Sequence, residues 1–298
     1  MSATVLSGKE LATAIRTESA AKAAELTVAG TPPKLAVIVP TAGESSAWYV
    51  RSIAKAAEKV GITCDIVALG PDADPGNIRH QLASLCIDES VHGVIVQTPL
   101  PDGAKLADLA STIVVQKDID GANPLSLGRL AAGIPAFAPA TAETVVAILD
   151  HHEVELTGRH VAVIGRSTVV GKPTAHLLLD KNATVTVCHS RTKDLAAITS
   201  AADVVVAAVG RAGLVTAEHV RPGAVVVDVG TNPTEDGGLV GDVDAASVTE
   251  KAAALTPVPG GVGLVTTALL LQHTVQPADR AAGMDHRDQG TGTLQLAA

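Results

Sequence analysis

Short β-branched runs alternate with longer stretches of helical period along most of the chain. From Lys34 the order is KLAVIV, SSAWYVRSIAKAAEKV, ITCDIVAL, GNIRHQLASLCI and HGVIVQ, which predicts βαβαβ. A helix is predicted over TAETVVAILDHHEV after Pro139. Gly158 then opens a second alternating series: HVAVIG, GKPTAHLLLDKN, ATVTVCHS, TKDLAAITSA, DVVVAAVG and AVVVDVG. Strands of nearly continuous valine and alanine suit a parallel sheet with helices on both faces, because neither face then needs a polar stripe. The pattern predicts an α/β fold with two domains. A polar N-terminal opening leads onto an amphipathic helix, and a late helix from Thr266 to about Val275 is expected to return to the first domain. The expected division is therefore 1–140 plus 267–298 for one domain and 141–266 for the other. Beyond Pro277 the segment is polar, Gly-containing and aperiodic, and reads as a frayed tail.

Composition narrows the function classes. The 298 residues are 47% hydrophobic and 18% charged, and no uninterrupted apolar run reaches the length that spans a bilayer. The N-terminus lacks the layout of a secretory signal. Cys64, Cys86 and Cys188 lie far apart with no CxxC spacing, so neither a disulfide framework nor a metal site is expected, and a reducing, cytoplasmic setting fits. A net charge of −9 without a basic run gives no footprint for nucleic acid, which leaves a small-molecule partner. The three aromatics include an adjacent pair, Trp48 and Tyr49, with Phe137 as the third. A packing anchor is one reading of that pair, and a platform for a flat ligand is the other.

The stretch HVAVIGRSTVVGKPTAHLLL places a buried strand before a loop with Gly165 and Gly171 that opens into a helix near Val170. Glycines allow tight turns and close backbone approach, and the helix N-terminus offers free N–H groups to a pyrophosphate. The spacing is GxSxxxG, with Ser167 inside it, so a plain strand-to-helix turn is the competing reading. The following strand ends in His189, Ser190, Arg191 and Thr192, without the acidic residue that grips a ribose 2′-hydroxyl in NAD enzymes. Those residues, with Arg166, suit a 2′-phosphate and therefore NADP. Gly210 and the Gly230–Thr231 pair end two later strands, where backbone is expected to lie against the nicotinamide half of the cofactor.

Six ordered motifs, HGVIVQTPLP, KDIDG, GRSTVVGKP, TVCHSRT, GDVD and PVPGGVGLVT, carry a resemblance to the bifunctional methylenetetrahydrofolate dehydrogenase/cyclohydrolase family from about residue 4 to 276. The resemblance implies an N-terminal folate domain completed by the C-terminal helix, a central NADP domain, a cleft between them and a homodimer. It implies further that Tyr49 stacks on the p-aminobenzoyl ring, that Gln97 is the active-site glutamine, and that Asp120 hydrogen-bonds the pterin. Pro259, Gly260, Gly261 and Leu264 fall in the motif expected to line the substrate. A pterin edge presents N–H groups to a carboxylate, which agrees with Asp120.

The chain departs from the family at one prominent place. The family pattern has a lysine four residues after the tyrosine, and here that position is Ile53. On a helix, Arg51 and Lys55 lie roughly 200° and 240° around from Tyr49, off the face Ile53 shares. Dehydrogenation mainly requires positioning, whereas cyclohydrolase chemistry needs proton handling that Ile53 cannot provide. The expectation is an NADP-dependent methylenetetrahydrofolate dehydrogenase with little or no cyclohydrolase activity. The alternatives are the full bifunctional enzyme, a non-catalytic folate- or NADP-binding homologue, and a reductase of another pterin-like substrate. Thr41, Ala122 and Leu264 are smaller departures on the folate side. Of the ten histidines, His189 reads as lining the cofactor pocket, His151 and His152 as a solvated helix end, and the other seven as scattered without convincing partners.

Overall fold

A computed structural model describes residues 3–41, 44–70, 73–234 and 236–283, without the side chains of 44–48. The chain opens with β1 (Thr4–Val5) and α1 (Lys9–Val28), followed by β2 (Lys34–Val39), α2 (Glu44–Lys59), β3 (Thr63–Ala68), α3 (Pro75–Ile87) and β4 (Gly93–Val96). Helices α4 (Leu106–Ala110), α5 (Pro124–Ala131) and α6 (Ala140–His151) lead into the second series. That series runs β5 (His160–Ile164), α7 (Gly171–Asp180), β6 (Thr184–Cys188), α8 (Leu195–Thr199), β7 (Val204–Ala207) and β8 (Val225–Asp228). The hairpin β9 (Asn232–Pro233) and β10 (Leu239–Val240), then α9 (Ala245–Thr249), β11 (Ala254–Leu255) and α10 (Val262–Ala281), complete the described chain.

Local chemistry explains several boundaries. Asp74 starts α3 by accepting hydrogen bonds from the amides of Gly76 and Asn77, with Pro75 as first helical residue. Asn123 does the same for α5 by accepting from Leu125, ahead of Pro124. The continuous apolar runs form parallel sheets in the orders β3-β2-β4 and β6-β5-β7-β8-β11-β1. Central strands are buried on both faces, with Leu35, Ala36, Val37 and Ile38 of β2 fully enclosed, while the edge strands β3 and β6 are partly exposed. The fold is the expected two-unit α/β arrangement.

In each sheet, two successive crossovers leave a central strand in opposite directions. The chain passes from β5 to β6 on one side and then returns to β7 on the other, so the carboxyl ends of β5 and β7 border a crevice. The small sheet repeats the plan, with β3 and β4 flanking β2. Ligand crevices in open α/β sheets form at such reversals.

Two features differ from the sequence reading. Strand β1 joins the large sheet, pairing Thr4 with Ala254, and two-residue strands such as this carry no periodic signal. Helix α10 begins at Val262 and runs through Pro277 to Ala281, so residues 278–281, expected as tail, are helical. Burial explains the extension: Leu269, Leu270, Leu271, Val275 and Ala278 are enclosed where α10 packs on α1 and α6, and Lys22 reaches Asp279 at 2.9 Å. Proline removes one helical amide, and in the last turn its loss is outweighed by that packing. The rest of the expected tail, 284–298, and the side chain of Trp48 lie outside the described residues.

The segment 117–121 shows how closely the layers fit. Gly121 has φ 58°, and a Cβ there would stand 2.4 Å from the nitrogen of Pro139 and 2.8 Å from the carbonyl oxygen of Phe137. We expect Gly121→Ala to lower unfolding free energy in urea by roughly 2–5 kcal/mol. Gly128→Ala, in α5 with open space around it, should leave stability equal or slightly raised. Equal stability of the two variants would refute this packing argument.

Candidate functional site

Tyr49 lies near the start of α2, the helix that follows β2, and packs half-buried against the main core. Its phenol is pushed up to about 12, first by burial and then by the charge of Asp120. Gln97 follows β4, with its amide donating to the carbonyl of Thr98 at 2.8 Å. Thr41, after β2, donates its hydroxyl to the Pro99 carbonyl at 3.0 Å. That bond ties the two strand-end loops together beside Gln97, across the crevice of the small sheet.

Ile53 is fully buried within the apolar core, in a cluster with Val50 and Ala57. Arg51 and Lys55 are exposed, as the helical geometry requires. Pro259, Gly260 and Gly261 form the turn into α10. Gly260 has φ 111°, its carbonyl accepts from the Gly8 amide at 3.0 Å, and Leu264 is partly exposed.

Asp120 is intermediate in exposure, and its carboxyl is pushed up to about 7. Burial is the larger cause and the charge of Asp118 adds to it, while His273 and the Ala140 amide at the start of α6 pull in the other direction. Asp118 is fully buried and accepts from the amides of Ala122 and Asn123, each at 3.0 Å, and from the Ser126 hydroxyl at 2.5 Å. Burial nevertheless raises it to about 6. His273 corrects the sequence reading of the histidines, because it is buried and doubly partnered. Its Nδ1 lies 2.8 Å from the Ile119 carbonyl and its Nε2 lies 3.1 Å from Glu143 Oε2. His152 also has a partner, the Ser7 carbonyl at 3.1 Å. No local sequence signal marks these pairs, since their members lie more than a hundred residues apart.

At the large-sheet crevice, glycine is demanded by contact. A Cβ at Gly165 would stand 2.2 Å from the Ala208 carbonyl oxygen, and one at Gly171 would stand 2.2 Å from the Gly165 carbonyl oxygen. Ser167 Oγ accepts from the Val170 amide at 3.1 Å, which closes the loop. After β6, Thr192 accepts from the His189 amide at 2.8 Å and His189 Nδ1 accepts from the Arg191 amide at 3.1 Å. Ser190, Arg191 and Arg166 are exposed around this turn, and neither arginine forms an ion pair among the described residues. A tight phosphate cradle with a rim of unopposed cations fits a dinucleotide carrying an extra phosphate.

Two buried aspartates shape the remaining wall. Asp242 accepts from the amides of Val209, Gly210 and Arg211 at 2.7 to 2.9 Å and from Asn232 Nδ2 at 3.0 Å. Asp228 accepts from the amides of Gly230, Asp242 and Val243 at 2.9 to 3.0 Å. Gly230 is therefore required by Asp242 of the chain itself, since a Cβ there would stand 2.4 Å from its amide nitrogen. Gly210 needs its positive φ of 62°, and Thr231 is exposed beside Gly230. The GDVD motif signalled Asp242, but its partners are visible only in the fold.

The family model described as the tetrahydrofolate dehydrogenase/cyclohydrolase catalytic domain matches residues 6–120, and the one described as that family's NAD(P)-binding domain matches residues 139–282. The chain belongs to this family. A tetrahydrofolate dehydrogenase/cyclohydrolase relative from Saccharopolyspora erythraea, "Bifunctional protein FolD 1", is 64% identical over 276 residues, covering 93% of this chain and 94% of the relative. Among solved structures, the bifunctional FolD of Campylobacter jejuni is 40% identical with a TM-score of 0.90, covering 93% of this chain and 99% of its own. The Trypanosoma brucei FolD, complexed with NADP cofactor and inhibitor, is 37% identical with a TM-score of 0.89, covering 94% and 98%.

In this member of the tetrahydrofolate dehydrogenase/cyclohydrolase family, the Asp242 brace gives a direct test. We expect Asp242→Ala to leave three amides without an acceptor and to cost roughly 3–5 kcal/mol in urea unfolding. The apparent KM for NADP should rise in the fraction that folds. Unchanged stability would show that water replaces the carboxylate.

Proposed function

We propose that this protein oxidises 5,10-methylenetetrahydrofolate to 5,10-methenyltetrahydrofolate with NADP, and that the cyclohydrolase step is slow or absent. The observation that carries the first part is the tight glycine turn at Gly165 and Gly171 beside the exposed Arg166 and Arg191, in a family member whose Asp120 acts electrostatically on Tyr49. The nicotinamide, when bound, accepts a hydride from the methylene carbon of the folate. Tyr49 offers a flat apolar surface to the p-aminobenzoyl ring, Asp120 accepts from the pterin N–H groups, and Gln97 supplies an amide at the one-carbon unit. Pro259, Gly260, Gly261 and Leu264 close the substrate side where α10 begins. Gly165, Ser167, Val170 and Gly171 cradle the pyrophosphate, and Arg166, Ser190, Arg191 and Thr192 receive the 2′-phosphate.

The second part follows from Ile53. Hydrolysis of the methenyl bridge requires water to be activated and protons to be moved. A fully buried isoleucine contributes neither, and the cations nearest along α2, Arg51 and Lys55, face solvent. Hydride transfer depends on alignment of the two ligands, which these residues still supply. The same reading counts α10 and the residues C-terminal to it with the folate unit. It also extends to a homodimer in the cytoplasm; three free cysteines among the described residues support a reducing compartment.

Purified protein given NADP and 5,10-methylenetetrahydrofolate should form NADPH, with methenyltetrahydrofolate then decaying at the uncatalysed rate. Catalysed decay would overturn the reading of Ile53, and absence of NADPH would overturn the folate assignment. Arg191→Ala should lower kcat/KM with NADP by about 10- to 100-fold while changing the value with NAD little. An equal loss with both cofactors would remove Arg191 from the 2′-phosphate site.

A further inference from the structure

The 117–121 turn carries two acidic side chains, and a third carboxylate, Glu143, reaches the same region from α6. Against them stands one buried ring, His273 of α10, with only 3% of its surface exposed. We propose that His273 is a positioning residue of the folate site, a buried imidazolium that fixes the Ile119–Asp120 segment and holds the Asp120 carboxylate ionised for the pterin. The inference rests on the folate reading above and extends it to a residue that does not touch substrate.

The geometry assigns the charge. His273 Nδ1 is 2.8 Å from the Ile119 carbonyl oxygen, which only accepts, so Nδ1 carries a proton. Nε2 is 3.1 Å from Glu143 Oε2, ion-pair distance from a carboxylate oxygen, which accepts, so Nε2 also donates. A ring that donates from both nitrogens is an imidazolium. Phe137 flanks it with ring centroids 4.9 Å apart, and the Arg280 guanidinium lies 5.6 Å from the centroid of that same phenyl ring.

The other charged groups nearby are consistent with this assignment. Asp118 and Asp120 of the 117–121 turn and Glu143 of α6 act on the ring electrostatically, and Tyr49 of α2 is acted on by Asp120. Lys22 of α1 is engaged with Asp279, farther along α10. Burial pulls the His273 ring down, but Glu143, the Ile119 carbonyl and Asp120 outweigh it and leave its pKa above the usual imidazole value. Of the charges acting on Asp120, Asp118 opposes its ionisation and His273 favours it.

The sign of the effect follows. Asp120 serves as an anion, so folate use declines as pH falls through about 7. Removing the neighbouring cation makes Asp120 easier to protonate, and the decline then begins at higher pH. In the full-length protein with ¹⁵N-labelled histidine, the His273 ring, assigned by its loss in His273→Asn, should give imidazolium nitrogen shifts at pH 7. In the dehydrogenase assay, the acid limb of kcat/KM for the folate substrate should move up by roughly one pH unit in His273→Asn. That corresponds to about tenfold lower kcat/KM at pH 6.5 and little change at pH 8.5, with KM for NADP unmoved. If His273→Asn does not fold, Glu143→Gln keeps the ring in place and should lower the pH at which the imidazolium signal is lost. A neutral His273 ring at pH 7, or a parental pH profile in His273→Asn, would overturn the proposal. A parent protein that forms no NADPH at any pH would overturn the folate reading, whereas the nitrogen shifts judge the charge on His273 independently.

Discussion

The turn at residues 117–121 is the constraint on which the substrate side of the molecule depends. Lys117 gives its carbonyl to the Val94 amide of β4, Asp118 gathers the Ala122, Asn123 and Ser126 donors at the start of α5, and Ile119 gives its carbonyl to His273 of α10. Gly121 then lets the backbone before α6 approach within a distance that any side chain would forbid. A sheet strand and three helices are thereby fixed to five consecutive residues. Asp120, the fourth of them, inherits its position from the other four. Its environment is also set there, because burial and Asp118 raise its pKa while His273 of α10 and the Ala140 amide at the start of α6 lower it.

The cofactor side solves the same problem with different parts. Both sheets reverse direction beside a central strand, and both leave strand-end backbone that needs partners away from the ladder. In the large sheet, Asp228 and Asp242 accept from six backbone amides between them, so the loops after β7 and β8 are braced by buried carboxyl groups. An ionised carboxylate in a dry interior is tolerable only when so satisfied. The glycines complement this brace: Gly230 admits Asp242, while Gly165 and Gly171 admit neighbouring backbone.

The parts of this design legible in the sequence are those written in local pattern. Runs such as KLAVIV and HVAVIG predict β2 and β5 to within a residue, since a parallel strand buried on both faces has a continuous apolar signature. Gly165 and Gly171 are legible because strand, turn and helix succeed one another directly. The pairing of β1 with β11 joins residues about 250 apart through two-residue strands, and no periodicity exists over such a length. His273 is unreadable for a similar reason. A histidine on an apolar helix face has no sequence mark of charge, and its partners Ile119 and Glu143 come from distant segments. Asp118 stands inside the same KDIDG motif as Asp120, yet its role is hidden there, because a buried capping carboxylate looks like its neighbour until its amide partners are seen.

Ile53 and His273 together describe how this member distributes charge. An isoleucine fully enclosed with Val50 and Ala57 contributes packing to the face of α2 that bears Tyr49. It contributes no field at the ligand. Among the described residues, the ionisable groups that interact electrostatically with Asp120 include Asp118, Tyr49 and His273, of which His273 is the one able to carry positive charge. His273 is also held behind the carbonyl of Ile119 by two hydrogen bonds, so it acts as a fixed charge and is not presented as a mobile proton donor. A fixed buried cation orients and ionises a binding carboxylate. A flexible amine exposed to the ligand shuttles protons to water. Among the described side chains, the face of α2 that bears Tyr49 carries Ile53 where an amine would stand, and the proposed division between hydride transfer and hydrolysis rests on that difference.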